Sequence, residues 1–329
     1  MAPIVPANLG QFADLVAEDI QNVYVKKMGK HKNTYADYFN VSDTDSYYDK
    51  DSSVVGNERA KRITENASVL YDAPIQGFDK TYTQVKFGDG LKISDHLWKF
   101  GIQVRRITQL VETLADSMDN KTETDAANML NNAFGTTYTD DDGASISTAG
   151  GDAAAYFSAS HTREDGGTAW NNIVYDGTTY NMDFEYDALK AARKTASAIP
   201  TGRGQPTSIE LDTLVCKNGS SVHDKYEELM GAISRNFIPG GDENDGAAKV
   251  GLPKLITLKY LDNDAYWFAF DSSMKNDTYG LQWRWSKRPT LDAPYLDYDT
   301  DEYRRKATMF YDRGANDMRP WVASKGTNA

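Results

Sequence analysis

From Leu97 to Phe134 the residues Leu97, Val104, Ile107, Val111, Leu114, Met118, Ala126, Met129, Leu130 and Ala133 recur at helical spacing. Side chains three and four apart share one face of a helix, so this stripe predicts an amphipathic helix over 97–134. Gly101 and the polar stretch DNKTET at 119–124 weaken the stripe without ending it. Ser94 is placed to cap its start, because a hydroxyl there can accept from an otherwise unpaired first-turn amide. The helix would be about thirty residues, roughly 45 Å at 1.5 Å per residue, against a mean globular helix of about 11–12 residues. A chain built on such a girder must lay several other elements along it.

The text before the girder predicts elements that cannot cover themselves. GFDKTYTQVKFGDGLKI, residues 77–93, alternates: Thr81, Thr83, Val85 and Phe87 fall on one face and Tyr82, Gln84 and Lys86 on the other. That is the period of a half-exposed strand. The Asp-Gly pair at 89 and 90 marks a turn, and the upstream RITENASVLYD offers a partner strand, so 57–93 reads as a two-stranded excursion. An isolated two-stranded ribbon is marginal in water and must rest on something else. Residues 35–56 are polar, rich in Asp and Tyr, and read as an extended arm. Residues 9–25 carry a further helical stripe that includes Phe12, Leu15, Ile20 and Tyr24. The basic run KKMGKHK follows, with a glycine that would end this helix; it reads as a solvated charge run or as a contact with an acidic neighbour or packaged phosphate.

Beyond the girder, 135–180 is rich in Gly, Thr, Asp and Asn and reads as loop with short strands. DFEYDALKAARKTAS at 183–197 predicts a helix, with Asp183 as cap and Phe184, Ala188, Leu189 and Ala192 inward. IELDTLVC predicts a strand, VHDKYEELMGAIS a helix and NFIPGGDENDGAAKVGLP a loop. LITLKYL, AYWFAF, LQWRWS and KATMFYDRG then follow as β-rich runs. Helical and strand runs both occur, and the fold class is read as α+β. No internal repeat is visible.

Charge and composition exclude several functions. Lys and Arg number 36 against 48 Asp and Glu, a net charge of −12. A protein that reads DNA gains affinity from clustered cations and counterion release, so that class is disfavoured. The N-terminal text lacks a basic n-region and an uninterrupted apolar core, so it is no signal peptide, and no run reaches the roughly 18–20 apolar residues of a membrane span. The single cysteine, Cys216, sits in an apolar run and reads as a buried thiol.

The stretch SASHTREDGG, residues 158–167, gathers hydroxyls, a histidine and carboxylates, yet matches no catalytic template. No G-x-S-x-G elbow surrounds Ser158 or Ser160, and His161 has no histidine four residues on. The four histidines, His31, His96, His161 and His223, are scattered, so no metal site is expected. DDDG at 140–143 and DENDG at 242–246 lack the ligand spacing of a calcium hand. Gly-Arg-Gly at 202–204 lacks the rest of a nucleotide cradle, and no cofactor is expected. Paired carboxylates with many Tyr and Trp keep a carbohydrate-active or sugar-binding β-rich protein open as an alternative, although WFAF and WRWS read more simply as core and sheet surface.

QGFDKTYTQVKFGDGLKIS running into the long helix, then FSASHTREDGGTAWNN, then FIPGGDENDGAAKVGLPKLITLKYLDNDAYWFAF occur in an order that resembles the tailed-bacteriophage major capsid proteins of the HK97 fold. Within them the likeness is to the Mu-type major head subunit group. The resemblance implies an N-terminal arm at 1–45, an extended two-stranded E-loop at 46–95, and a peripheral domain at 96–180 and 286–329 with the spine helix at 97–134. It implies an axial domain at 181–285, with SASHTREDGG a structural loop of the peripheral region. It further implies a structural protein rather than an enzyme, self-assembling into hexamers and pentamers of an icosahedral shell around double-stranded DNA, in the virion and assembled in the host cytoplasm. An encapsulin-like shell, enclosing an enzyme instead of a genome, would share the fold.

Intersubunit contacts are expected from Arg59, Lys61 and Arg62 at the ribbon, from Tyr82, Lys86 and Phe87 on its alternating strand, and from Phe12 and Leu15 on the first helix. The basic trio reads equally well as a solvated cluster. Expected partners are further copies of the chain, a portal, a separate scaffolding protein or none, a possible decoration protein, and packaged DNA as a non-specific neighbour; no membrane is expected. The first helix starts so close to Met1 that no room is left for a cleaved scaffolding segment. No Lys–Asn pair for covalent cross-linking can be matched, so none is expected.

Overall fold

The computed structural model describes residues 20–30, 32–57, 59–65, 67–69, 71–94, 104–234, 253–276, 278–297, 299 and 302–327. Helix α1 (20–28) ends where the sequence predicts, at Gly29, whose N–H returns to the Val25 carbonyl at 2.9 Å. The one-turn helix α2 (Tyr35–Tyr38) and strands β1 (Asn40–Asp43) and β2 (Tyr48–Val55) follow. Then come β3 (Ile75–Thr83), β4 (Val85–Ser94) and the long helix α3 (Val104–Asn131). Short strands β5 (Thr137–Thr139) and β6 (Ser145–Ser147) precede helix α4 (Tyr186–Ala198), β7 (Thr213–Lys217) and helix α5 (Ser221–Ser234). The chain closes with β8 (Lys254–Leu258), β9 (Trp267–Phe270), β10 (Leu281–Leu291), β11 (Tyr295–Asp297), β12 (Glu302–Ala315) and β13 (Trp321–Ser324). Phe12, Leu15, residues 95–103 at the predicted start of the girder, and most of the DENDG loop lie outside the described residues.

Strand β12 organises the main sheet. One of its edges runs antiparallel to β4 from Glu302–Ser94 to Tyr311–Val85, and the other is shared by β10 and β11. Parallel pairing of β1 with β10 completes five strands. Helix α3 lies along this sheet and buries Val111, Leu114, Ala115, Met118, Ala126, Met129 and Leu130 in one core with Trp283, Trp285, Met309 and Tyr311. The second sheet, ordered β13-β9-β7-β8, packs into a core on each face. Alternate residues of a strand point to opposite faces; Phe268 and Phe270 enter the α3 core, while Trp267 and Ala269 enter a second core with Ala188 and Ala192 of α4 and with Phe184 just before it. This explains why WFAF is apolar throughout.

Several sequence expectations change. Residues 35–39 are core rather than extended arm: Tyr35, Tyr38 and Phe39 are buried, and Tyr35 and Phe39 pack on Trp283 with ring centroids 4.8 and 5.5 Å away. The partner of β3 is β2, not RITENASVLYD, whose described residues lie at the tip between them and are mostly exposed. Asp89-Gly90 makes no turn and lies within β4. A Cβ at Gly88 or Gly90 would come within 3.0 or 3.2 Å of a β12 carbonyl, so these glycines serve close backbone approach. Asp183 does not cap α4, whose N-cap is Glu185; its carboxylate accepts from the Thr327 amide and hydroxyl instead.

The polar stretch DNKTET is where α3 is fastened. Glu123 accepts from the Thr34 and Tyr35 amides and the Thr34 hydroxyl, which seats α2. Asp125, fully buried, accepts from the Tyr311 hydroxyl at 2.5 Å and pairs with Arg313 of β12 at 3.1 Å. Lys121 reaches Asp125, Asp140 and Asp142, each at 3.2 Å. Removing one member of a buried ion pair strands the other, which costs about 3–5 kcal/mol. Arg313→Met is therefore expected to lower unfolding stability by about that amount, read from the urea midpoint, whereas Lys27→Met, which breaks the half-exposed 3.1 Å pair with Asp116, costs at most about 1 kcal/mol.

Candidate functional site

At Gln84 the chain leaves the β2–β3 hairpin and joins the main sheet as β4. The break reverses which residues face inward: Tyr82 and Gln84 are buried before it, Ile93 after it, with Phe87 and Leu91 half-buried between. Phe87 stacks on Tyr311 at 4.6 Å. A single alternation over 77–93 was therefore two strands out of phase.

The root of the hairpin is tied down by polar bonds. Thr83 N–H donates to Asp312 Oδ2 at 2.7 Å, Asn316 Nδ2 to the Phe78 carbonyl at 3.0 Å, and Lys80 Nζ to the Ala149 carbonyl at 2.7 Å. The Arg284 guanidinium pairs with Asp49 at 3.2 Å and lies 5.4 Å over the Tyr82 ring. On the hairpin itself Lys50 and Ser52 both bond Asp79, holding its carboxyl down at about 2. Further out, Arg203 donates to the Ala73 carbonyl, and Gly202 sits so close that a Cβ there would meet Val55 at 2.9 Å.

Past that point most of the described residues are exposed. Arg59, Lys61 and Arg62 are exposed. So are apolar groups beside them: Ile63 at 48%, Val69 at 54% and Tyr71 at 92%, with Val54 at 72% on β2. The tip curls around an open cleft of about 610 Å³. Soluble monomers rarely leave apolar residues gathered this way without a partner.

The expected contact residues thus divide. Arg59, Lys61 and Arg62 lie together on the tip, and Lys86 is exposed at the start of β4 with its ammonium 5.7 Å over Phe310. Tyr82 is fully buried in its own chain and has no surface to offer, which corrects its assignment as a contact; Phe87 is half-buried and spends its ring on Tyr311. The reason is the phase change at Gln84. Sequence reading missed Tyr47, Tyr48 and Val54 on the exposed side; the adjacent aromatic pair was the one available signal.

SASHTREDGG is a joint. His161 is buried, stacked on Trp170 at 4.3 Å, with Nδ1 2.9 Å from Asp152 and Nε2 3.0 Å from Asn172 Oδ1. Asn172 in turn accepts from Ser158 N–H and donates to the Tyr156 carbonyl. Both ring nitrogens are engaged, and the Ser158 hydroxyl bonds the Ser160 carbonyl rather than the imidazole. Arg319 holds Glu164 at 2.6 Å and also binds Asp317, closing the loop onto the C-terminal segment. Burial pushes the Cys216 thiol up to about 11, far from a nucleophile's range.

No family model matches the chain, and no curated protein matches it. Solved structures do. The capsid of an empty GTA particle aligns over 90% of this chain and 90% of its own, with a TM-score of 0.54 and 11% identity. The HK97-like capsid fold is the fold of this chain. A structure of Mycobacterium phage Adephagia gives a TM-score of 0.50 at 11% identity, over 91% of this chain and 92% of that one. One of Microbacterium phage Oxtober96 gives 0.51 at 8% identity, over 90% and 91%. At such identities the likeness is one of backbone path, and it extends over nine-tenths of the chain.

Burial raises the Asp312 carboxyl above its ordinary value, even though the Arg313 and Thr83 amides favour the charged form. A folded state that binds a proton more tightly than the unfolded chain loses stability as pH rises between the two pKa values. Asp312→Asn keeps an acceptor for Thr83. It is expected to remove part of the decline in stability from about pH 4 upward, measured by urea titration at successive pH values; an unchanged slope would mean that Asp312 is not its source.

Proposed function

We propose that the chain is the major capsid subunit of a tailed bacteriophage, assembling through its own copies into hexamers and pentamers of an icosahedral shell around double-stranded DNA. The hairpin carries this reading. A fold shared with capsid proteins leaves a long ribbon whose tip exposes Tyr71, Val69 and Ile63 beside three cations. Apolar surface removed from water gains about 25 cal/mol per Å², and the ground available to the tip in a shell is a neighbouring copy. Such head-to-tail contacts close into rings when the rotation between copies divides a full turn.

On this reading residues 1–45 are the N-terminal arm, 46–95 the E-loop, 96–180 and 286–329 the peripheral domain, and 181–285 the axial domain. The protein resides in the virion shell after assembly in the host cytoplasm, with a portal, a separate scaffolding protein and optional decoration proteins as partners. DNA is a neighbour held at arm's length, consistent with the net charge of −12. The sugar-binding alternative loses its main support, because Trp267, Phe268, Trp283 and Trp285 are buried and present no stacking platform.

Sedimentation and electron microscopy of the purified protein are expected to show capsomers or closed shells; a monomer that hydrolyses glycans would contradict the reading. The double variant Val69→Ser, Tyr71→Ser should leave dispersed-subunit stability within about 0.5 kcal/mol of the parent, as exposed sites do. It should raise the protein concentration at which particles form, measured by light scattering.

A further inference from the structure

Asn218-Gly219 is the one Asn-Gly pair in the sequence, and it forms the exposed turn between β7 and α5. An asparagine before a glycine can close on itself, because the glycine amide nitrogen can attack the side-chain carbonyl carbon and no Cβ stands in the way. The step also needs a base to take the amide proton. Gly143 and Gly166, each preceded by an aspartate, donate their N–H groups to the Asp140 and Arg163 carbonyls at 2.8 and 3.0 Å. A carbonyl oxygen is no base.

At Gly219 the arrangement differs. Its N–H donates to His223 Nδ1 at 3.1 Å. A ring nitrogen that accepts carries no proton, so the imidazole proton belongs on Nε2, which stands 3.4 Å from Glu227 Oε1 one helical turn on. The first turn of α5 places the ring: His223 N–H donates to Ser220 Oγ at 3.2 Å, and Asp224 N–H to the Ser220 carbonyl at 3.0 Å. The asparagine is held from the sheet side, its N–H on the Leu258 carbonyl at 2.9 Å. Gly219 adopts φ +67°, and beyond its chain neighbours no atom lies within 4 Å of where a Cβ would be, so ring closure meets no obstacle there.

We propose that Asn218 is a site of self-catalysed deamidation, with His223 as general base and Glu227 as the residue that positions it. His223 Nδ1 takes the Gly219 N–H proton as that nitrogen bonds Asn218 Cγ. The imidazolium so formed faces the Glu227 carboxylate and passes the proton to Asn218 Nδ2; the Cγ–Nδ2 bond breaks and ammonia leaves. Water then opens the cyclic imide at either carbonyl, giving aspartate or isoaspartate. Either product adds one negative charge to the net −12, and isoaspartate also inserts a main-chain carbon where β7 passes into α5. The chemistry needs no partner and does not rest on the shell reading. In a shell of like copies the converted fraction would rise with time and so date the particle.

The test is incubation of the dispersed full chain in neutral buffer, with peptide mass spectrometry at intervals to follow the NH₂-to-OH exchange at Asn218 and the isoaspartate formed there. Conversion is expected in the parent. His223→Gln keeps an acceptor for the Gly219 amide but supplies no base, and should slow conversion by about tenfold, less than the roughly 10²–10⁴ of an enclosed general base because the turn is open to water. Glu227→Gln keeps the length and the acceptor oxygen but not the charge, and should slow it by less. The sign separates chemistry from folding: a loosened turn closes its ring more freely, so a variant that merely lost structure would convert faster. No conversion at Asn218 in the parent, or a rate in His223→Gln equal to the parent's or faster, overturns the proposal. A rate in Glu227→Gln equal to the parent's overturns the role given to Glu227. None of these outcomes touches the shell reading, which particle formation tests separately.

Discussion

The fold turns on the fastening of one helix to one strand. Asp125 of α3 and Arg313 of β12 meet in the core, where the Tyr311 hydroxyl also donates to the Asp125 carboxylate. Because β12 pairs with β4 on one edge and with β10 and β11 on the other, fixing it against the helix fixes the sheet. Two residues from Asp125 along α3, Glu123 holds the amides that begin α2 and so places Tyr35 and Phe39 on Trp283. A desolvated ion pair is weak support for stability taken alone, since a well-packed apolar replacement often does as well. What it supplies is register, because only one alignment of α3 on β12 brings Asp125 to Arg313.

From that frame the hairpin follows as a continuation. β4 is held along most of its length by β12, and β3 runs on from it past Gln84 into space. The frame grips the ribbon at Asp312, Asn316 and Arg284 and, farther out, through Arg203. Beyond it the described residues of the tip are mostly exposed. An element anchored so firmly at one end and left apolar and exposed at the other is built to be finished by another molecule.

The helices and the inner strands were legible in the sequence because their burial imposes a period: the α3 stripe, the inward face of α4 and the unbroken WFAF each announce how many faces are covered. The hairpin was legible only in part. β2 reads YDKDSSVV, with polar residues on both faces, and a strand whose faces are alike leaves no alternation to detect. Gly88 and Gly90 beside Asp89 looked like a turn because glycine answers to two needs, left-handed backbone and close approach, and the second applied. Tyr35 and Phe39 sat in polar text that hid their burial, since their partner Trp283 is distant in sequence. For the same reason the joint around His161 could be recognised as loop but not as a network: Asn172 is near in sequence, but Arg319 is not.

The account stands on the claim that the outer hairpin is completed by other copies. Amide hydrogen exchange of residues 56–74 in dispersed subunits and in assembled particles tests it directly. The account predicts rapid exchange in the subunit and strong protection in the particle, with β4 and β12 protected in both. Equal exchange of the tip in the two states, whether fast or slow, would contradict it.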